Sequence, residues 1–511
     1  MERKWWTLIL VCVATFMLLL DITIVNVALP SIQRSLHASF DDLQWVVDAY
    51  SLTLAALLLT AGSLADLFGR KRVFILGLLV FTGASLLCGL ANRPVVLNLS
   101  RGLQGVGGAM MFATSLALIA QEFHGRDRGT AFGAWGATIG AAAAVGPLVG
   151  GGLTEGLGWE YIFFLNLPIG IAAAALSAVK LAENKDPEAA RVDWAGLITW
   201  SAALFLLVLA LIRGNDLGWG STQIVASLVA AGVLLVVFVF AELRQVRPML
   251  DLTLFRKPTF AGASIAAFAV SSTMFAMFLY ITLYYQNILH LTPVETGWRF
   301  LPLTVVSFFV APIAGRLSSK APPQVLMGLG LGLVSLALFL MHGVKVDSSW
   351  TTLLPGFILA GIGVGTLNPL LAQTAVGVVP PARSGMASGI NNTFRQVGVA
   401  TGIAGLGAIF QHQVLTKVTE LIAGSPAASF AASHGDAVKQ LSSGGGGAIA
   451  QAPPDVRAQL AHAGSLAFVD GFNHILIVGG IVAGIGAILT FVLVRRRDFV
   501  ESAAPVAEAA A

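Results

Sequence analysis

The sequence predicts an all-α integral membrane protein of about fourteen transmembrane helices. Three observations predict it: scarce charge, a succession of bilayer-length apolar runs, and a one-sided distribution of basic residues. Of 511 residues, 56% are hydrophobic and 11% charged, whereas soluble domains carry roughly 25% charged residues. A soluble chain of this length would divide into about three domains, each needing a polar shell. This composition cannot supply that shell, and a bilayer is the solvent that does without it.

Taking about 20 apolar residues per helix, spans fall near 6–28, 43–64, 73–92, 95–120, 130–153, 161–181, 194–213 and 222–241. Six more fall near 258–285, 294–315, 324–342, 352–378, 387–411 and 468–494. With the amino terminus in the cytoplasm, inside loops collect 20 of the 30 Lys and Arg residues, including Arg70, Lys71, Arg72 and the Arg495–Arg497 cluster. Outside segments hold seven, Arg213 among them, and Arg101, Arg299 and Arg395 fall inside spans. The bias follows the positive-inside rule. It predicts a multi-pass protein of the cell inner (plasma) membrane with both termini cytoplasmic.

The net charge of +4 sits in short loops and does not form a nucleic-acid surface. Cys12 and Cys88 fall within spans, as small apolar side chains rather than a disulfide. No small-residue cleavage site follows the first span, so it reads as a retained anchor. The stretch 412–467 is the one long outside segment; its Gly444–Gly447 run and Pro453–Pro454 predict weak order, as does the Ala-rich part after Arg497 of the cytoplasmic tail, 495–511. There is no phosphate-cradling Walker loop, no metal-ligand spacing and no nucleophile with a base. ATP-driven pumping, cofactor chemistry and catalysis are therefore not expected; the chain reads as a non-enzyme.

Between spans two and three lies Gly62-Ser63-Leu64-Ala65-Asp66-Leu67-Phe68-Gly69-Arg70-Lys71-Arg72. Its glycines allow a tight turn, its Asp and Arg residues an ion-pair latch, and Asp66 can face the positive N-terminus of a neighbouring helix. The segment resembles the signature loop of the major facilitator superfamily. A shorter echo, Gly315-Arg316-Leu317-Ser318-Ser319-Lys320, lacks the Asp but fits an internal two-half repeat.

Four further segments resemble a branch of that superfamily, the fourteen-helix drug:proton antiporters. They are Leu20-Asp21-Ile22-Thr23 through Pro30, Arg101-Gly102-Leu103-Gln104-Gly105, Gly140 with Gly146-Pro147-Leu148-Val149-Gly150, and Trp159-Glu160-Tyr161 through Gly170. Glu160 departs from the pattern, standing where the branch usually has a basic residue. The resemblance implies a major facilitator-like fold of two pseudo-symmetric six-helix bundles, 1–181 and 258–494, with an inserted helix pair over 182–257. It also implies proton-driven export of drugs or toxic compounds. Asp21 and Arg101 match positions linked to proton coupling in that branch. The small-residue fifth span, with Gly140, Gly146, Pro147 and Gly150, matches a motif associated with export; with Gly62, Asp66, Gly69 and Arg70 it forms the expected gating set.

Asp21 and Asp48 are the only carboxylates placed well inside spans. A charge at the bilayer centre costs about 3 kcal/mol on insertion scales, so each needs a partner or a watery cavity. Arg101 has no carboxylate in its own span and needs a backbone carbonyl or an acid from another helix. As a scheme, a proton from outside reaches Asp21 by way of Asp48 and Arg101 changes partner. Two carboxylates in the first spans also favour cationic cargo. Asn391, Asn392, Arg395 and Gln396 share a polar face, read either as a substrate surface or as helix-to-helix bonding. Met274, Phe278 and Tyr284 of the ninth span offer an adaptable aromatic surface, or plain packing. The expected partners are a small-molecule substrate, protons and lipids, with a monomer sufficient. Rival readings are a narrow exporter of one metabolite or antibiotic, a non-transporting membrane sensor, and an importer.

Overall fold

The computed structural model describes residues 2–185, 192–245, 248–318, 320–433 and 453–500. The glycine run 444–447, Ser319 and the tail beyond 500 lie outside the described residues. Among the described residues, fourteen long helices account for the fold. They are α1 (Arg3–Leu36), α2 (Phe40–Phe68), α3 (Arg70–Gly89), α4 (Pro94–Glu122), α5 (Gly125–Gly156) and α6 (Tyr161–Lys180, broken at Leu165). Then come α7 (Trp194–Leu217), α8 (Thr222–Arg244), α9 (Pro258–Leu283, continued by a π turn to Ile288), α10 (Pro293–Leu317) and α11 (Pro323–Met341). The last are α12 (Leu354–Gly377), α13 (Ser384–Ile422) and α14 (Pro454–Leu493).

Twelve of these are long and apolar enough to cross a bilayer. The other two, α5 and α13, are rich in glycine and polar residues, and they pack against α1 and α10 and against α2 and α9 respectively. Every expected span is a helix. The ends differ because caps and turns set them. Ser39 and Asp42 form a capping box that starts α2 early, and Thr292 and Glu295 do the same for α10.

One expectation is corrected: the stretch 412–467 is largely helical where it is described. Helix α13 runs on to Ile422, a short helix covers Pro426–Ser433, and α14 begins at Pro454. Buried Val414, Val418, Val456 and Leu460 in one apolar cluster explain why. The polar residues between them hid that periodicity.

Helices α1–α6 pack together around two apolar clusters, and α9–α14 around a third. The inserted α7 lies between α2 of one group and α13 of the other, with α8 behind it. Val229, Val233, Val236 and Phe240 of α8 are exposed, an apolar outer face suited to lipid. The groups also meet directly, α5 against α10 and α12, and α2 and α4 against α13.

Candidate functional site

Asp21 of α1 is buried at 3% exposure and Arg101 of α4 at 1%. Arg101 Nη1 donates to Asp21 Oδ2 at 2.5 Å and to Gln104 Oε1 at 2.6 Å, and its Nε donates to the Val46 carbonyl of α2 at 2.9 Å. The other carboxylate oxygen accepts from Gln104 Nε2 at 2.8 Å and from Asn166 Nδ2 at 3.1 Å. Ser85 of α3 accepts from both amides, at 2.9 and 3.3 Å. The Tyr50 ring lies under the guanidinium, 4.3 Å from its carbon to the ring centroid. Five helices thus converge on one compensated ion pair. Asn166 reaches it because α6 restarts at that residue after its break. Sequence reasoning named Asp21 and Arg101 but gave no role to Gln104, Asn166, Ser85 or Tyr50. Two of these stood within the quoted motifs.

Asp48 lies on α2, nearer the end of the bundle away from the 62–72 turn. Its Oδ2 is 3.2 Å from Nε of Arg213, which itself donates through Nη1 to Gln44 Oε1 at 2.5 Å and covers the Trp45 ring. Arg213 was assigned to an outside segment. Instead it is buried on α7, in an ion pair, because that helix continues one turn past the apolar run to Leu217. Asp21 and Asp48 are also not alone among buried acids: Asp66 is 7% and Glu242 of α8 3% exposed.

At the other end, which carries the basic 70–72 turn, Asp66 joins the two helix groups. Its carboxylate accepts the Gly385 and Met386 N–H groups, at 3.0 and 2.8 Å. These are unsatisfied donors in the first turn of α13, where the helix dipole favours a negative charge. Arg70 donates to Asp66 Oδ1 through Nε and Nη2, at 3.0 and 2.9 Å, and to the Pro381 and Ala382 carbonyls at 2.6 and 3.0 Å. Gly69 adopts φ +110°, and Glu183 caps α3 beside it by accepting the Lys71 and Arg72 N–H groups. A Cβ on Gly62 would strike the Gly385 backbone. This end of the bundle is closed.

Helix α5 shows why small residues are needed at the seam. A Cβ on Gly146 would run into Thr23 of α1, and one on Gly150 would stand 3.2 Å from Ile24 Cα. On the facing side, a Cβ on Gly133 would come within 2.8 Å of Pro312 Cα of α10. Gly140 is different, since a Cβ there meets Ser307 Oγ at an ordinary 3.6 Å. The Pro147 side chain lies outside the described residues.

On α13, Asn391, Asn392 and Arg395 are all buried. Asn392 Nδ2 donates to the Phe112 carbonyl of α4 at 3.2 Å, and Arg395 Nη2 to Asn368 Oδ1 of α12 at 2.7 Å. Asn392 therefore bonds across the seam, whereas the Arg395 bond stays within the α9–α14 group. Met274 and Phe278 line a small apolar cavity with Leu303, Leu338, Met341 and Phe357, inside the α9–α14 group. Tyr284 does not join them. It is fully buried, stacked 5.4 Å from Phe472, and donates its hydroxyl to the Lys345 carbonyl.

Residues 11–403 match the family described as Major Facilitator Superfamily. The chain is 38% identical over 404 residues to the multidrug resistance protein Stp of Mycobacterium tuberculosis, covering 79% of this chain and 75% of Stp. It is 33% identical to the tetracenomycin C resistance and export protein of Streptomyces glaucescens, over 81% of this chain and 77% of that protein. It is 36% identical to the puromycin resistance protein pur8 of Streptomyces alboniger, over 80% and 82%. In fold it is similar to the human organic anion transporter MFSD10, with a TM-score of 0.63 over 94% of this chain and all of that one, at 13% identity.

Proposed function

The chain belongs to the major facilitator superfamily, and from that premise we propose that it exports lipophilic drugs or toxic compounds across the cell membrane, driven by protons. The basic end is then the cytoplasmic one, by the positive-inside rule. Residues 1–181 and 258–494 are the two rocking bodies, with 182–257 inserted between them, and cargo binds where they meet. The Asp66–Arg70 contacts with α13 hold the cytoplasmic side shut and have to release for loading.

The observation that carries the reading is the buried Asp21–Arg101 pair. Arg101 ties Asp21 of α1 to the Val46 carbonyl of α2. A proton on Asp21 would discharge one partner and leave Arg101 uncompensated, which is costly in a membrane interior. The arginine then has to find another acceptor, and that exchange is the mechanical step. Asp48 lies two residues beyond Val46 on α2 and pairs with Arg213 of α7, so a relay through it needs that pair to open first. Both acids are ion-paired with arginines, so neither presents an unopposed negative charge to a cation.

The test is reconstitution of the full chain into proteoliposomes, with dye transport followed while a pH gradient is imposed and then collapsed with nigericin. Gradient-dependent transport with matching proton movement, read by entrapped pyranine, is expected. Transport indifferent to the collapse would overturn proton coupling. A narrow exporter on the same fold is the second reading, favoured by relatives named for single antibiotics. A dye panel separates the two.

A further inference from the structure

We infer that the seam recognises cargo through an acidic group, a carboxylate or phenolate, held by Arg395 with Asn391 beside it. The inference rests on the export reading and adds the charge class of the cargo.

Arg395 is buried at 7% exposure, and among the described residues no carboxylate lies within 4.0 Å of it. Its Nη2 is occupied by Asn368, but its Nη1 is buried with no hydrogen-bond partner. Arg101 and Arg213, by contrast, each face an aspartate. Four residues back on the same helical face, both amide atoms of Asn391 are also buried without partners. Uncompensated polar atoms of this kind are costly in a membrane interior, and a charged one most of all.

Position makes this a cargo site rather than a packing fault. Arg395 stands about 16 Å along α13 from its start at Ser384, at 1.5 Å per residue. That is near the midplane of a hydrocarbon core about 30 Å thick. Asn392, three residues back, bonds across the seam to α4, and a Cβ on Gly136 of α5 would lie 3.5 Å from Asn368 Cβ. The Asp21 and Asp48 pairs lie about 30 Å from the cytoplasmic ends of α4 and α2 by the same rise, toward the outer face. The unopposed charge at mid-depth is therefore positive. A guanidinium presents a planar fork that fits a carboxylate, and a charge-assisted bond there is roughly twice as strong as a neutral one.

Fluorescein and rhodamine 123 share a xanthene scaffold and carry opposite charge, so they test the sign directly. Binding of each to the full-length protein in detergent is read by fluorescence anisotropy, with no gradient present. Wild type should bind fluorescein more tightly than rhodamine 123. Arg395→Gln should weaken fluorescein binding at least about tenfold, a change of about 1.4 kcal/mol, while shifting rhodamine 123 less than about twofold. Arg395→Lys should keep part of the affinity. Asn391→Ala, which leaves the Arg395–Asn368 bond intact, should weaken fluorescein alone. Tighter binding of rhodamine 123 by wild type, no fluorescein binding, or equal weakening of both dyes in a folded, monodisperse Arg395→Gln protein overturns the inference. Dye binding without gradient-driven transport would count against the export reading and leave this one standing.

Discussion

Arg101 Nη1 lies 2.5 Å from Asp21 Oδ2, joining α4 to α1 inside a shell that supplies a partner to every oxygen of the acid. An ion pair this enclosed fails asymmetrically. Removing one partner strands the other, at a cost of about 3–5 kcal/mol. Asp21→Asn keeps the shape and can still accept from Arg101, so it should remain folded while losing gradient-driven transport. Arg101→Ala, which leaves a bare carboxylate, should lower the melting temperature more than Asp21→Asn does. Unimpaired proton-driven efflux by Asp21→Asn would remove Asp21 from the coupling scheme.

Asp66 should act as the catch of the basic end. Asp66→Ala deletes the acceptor for two N–H groups of α13 and the anchor of Arg70. On a background with Cys12 and Cys88 replaced by Ser, spin labels on Phe68→Cys and Ala382→Cys report the gap. The distance distribution should shift to longer values in the variant. An unchanged distribution would mean that packing alone, such as Gly62 against Gly385, keeps this side shut.

Two glycines of one helix should behave oppositely. Gly140→Ala meets only ordinary contacts and should retain near-normal transport and melting temperature. Gly146→Ala drives a methyl into Thr23 and should destabilise by about 1–3 kcal/mol, with transport reduced. Equal tolerance at both positions would contradict the close approach of α5 to α1.

Asp48 and Arg213 should prove coupled in a double-mutant cycle on thermal stability. Each single change, Asp48→Asn or Arg213→Gln, leaves a buried charge unopposed. The double variant should therefore be less damaged than the sum of the two, by about 0.5–3 kcal/mol. Simple additivity would show the pair to be too wetted to matter.

Much of this architecture was legible in the sequence, and what was missed has a common physical origin. Apolar length marked twelve of the fourteen helices clearly and the small-residue spans α5 and α13 more weakly, and the 62–72 motif offered Asp66 to the N-terminus of a neighbouring helix. Arg213 escaped because it follows the apolar run by one residue and its acid lies on another helix. Asn368 escaped similarly, since a single amide in an apolar span carries no periodic signal. The helix over 454–467 was hidden by polar residues that face outward while Val456, Leu460 and Ala463 pack inward. Sequence patterns report which solvent a helix meets, whereas these residues are defined by which helix they meet.

The position of α7 has a mechanical consequence. Thr60, Asp48 and Gln44 of α2 fasten to Ser201, Arg213 and Asp216 of α7, whereas Asn215 bonds α13, through the Ala404 carbonyl at 3.0 Å. When the two bodies swing apart, a strut tied to both cannot travel with each. If the bodies rock as proposed, the amide is the weaker tether, and α7 would ride with the amino-terminal body and slide along the other. On that scheme the added helices would work as a bearing rather than as padding.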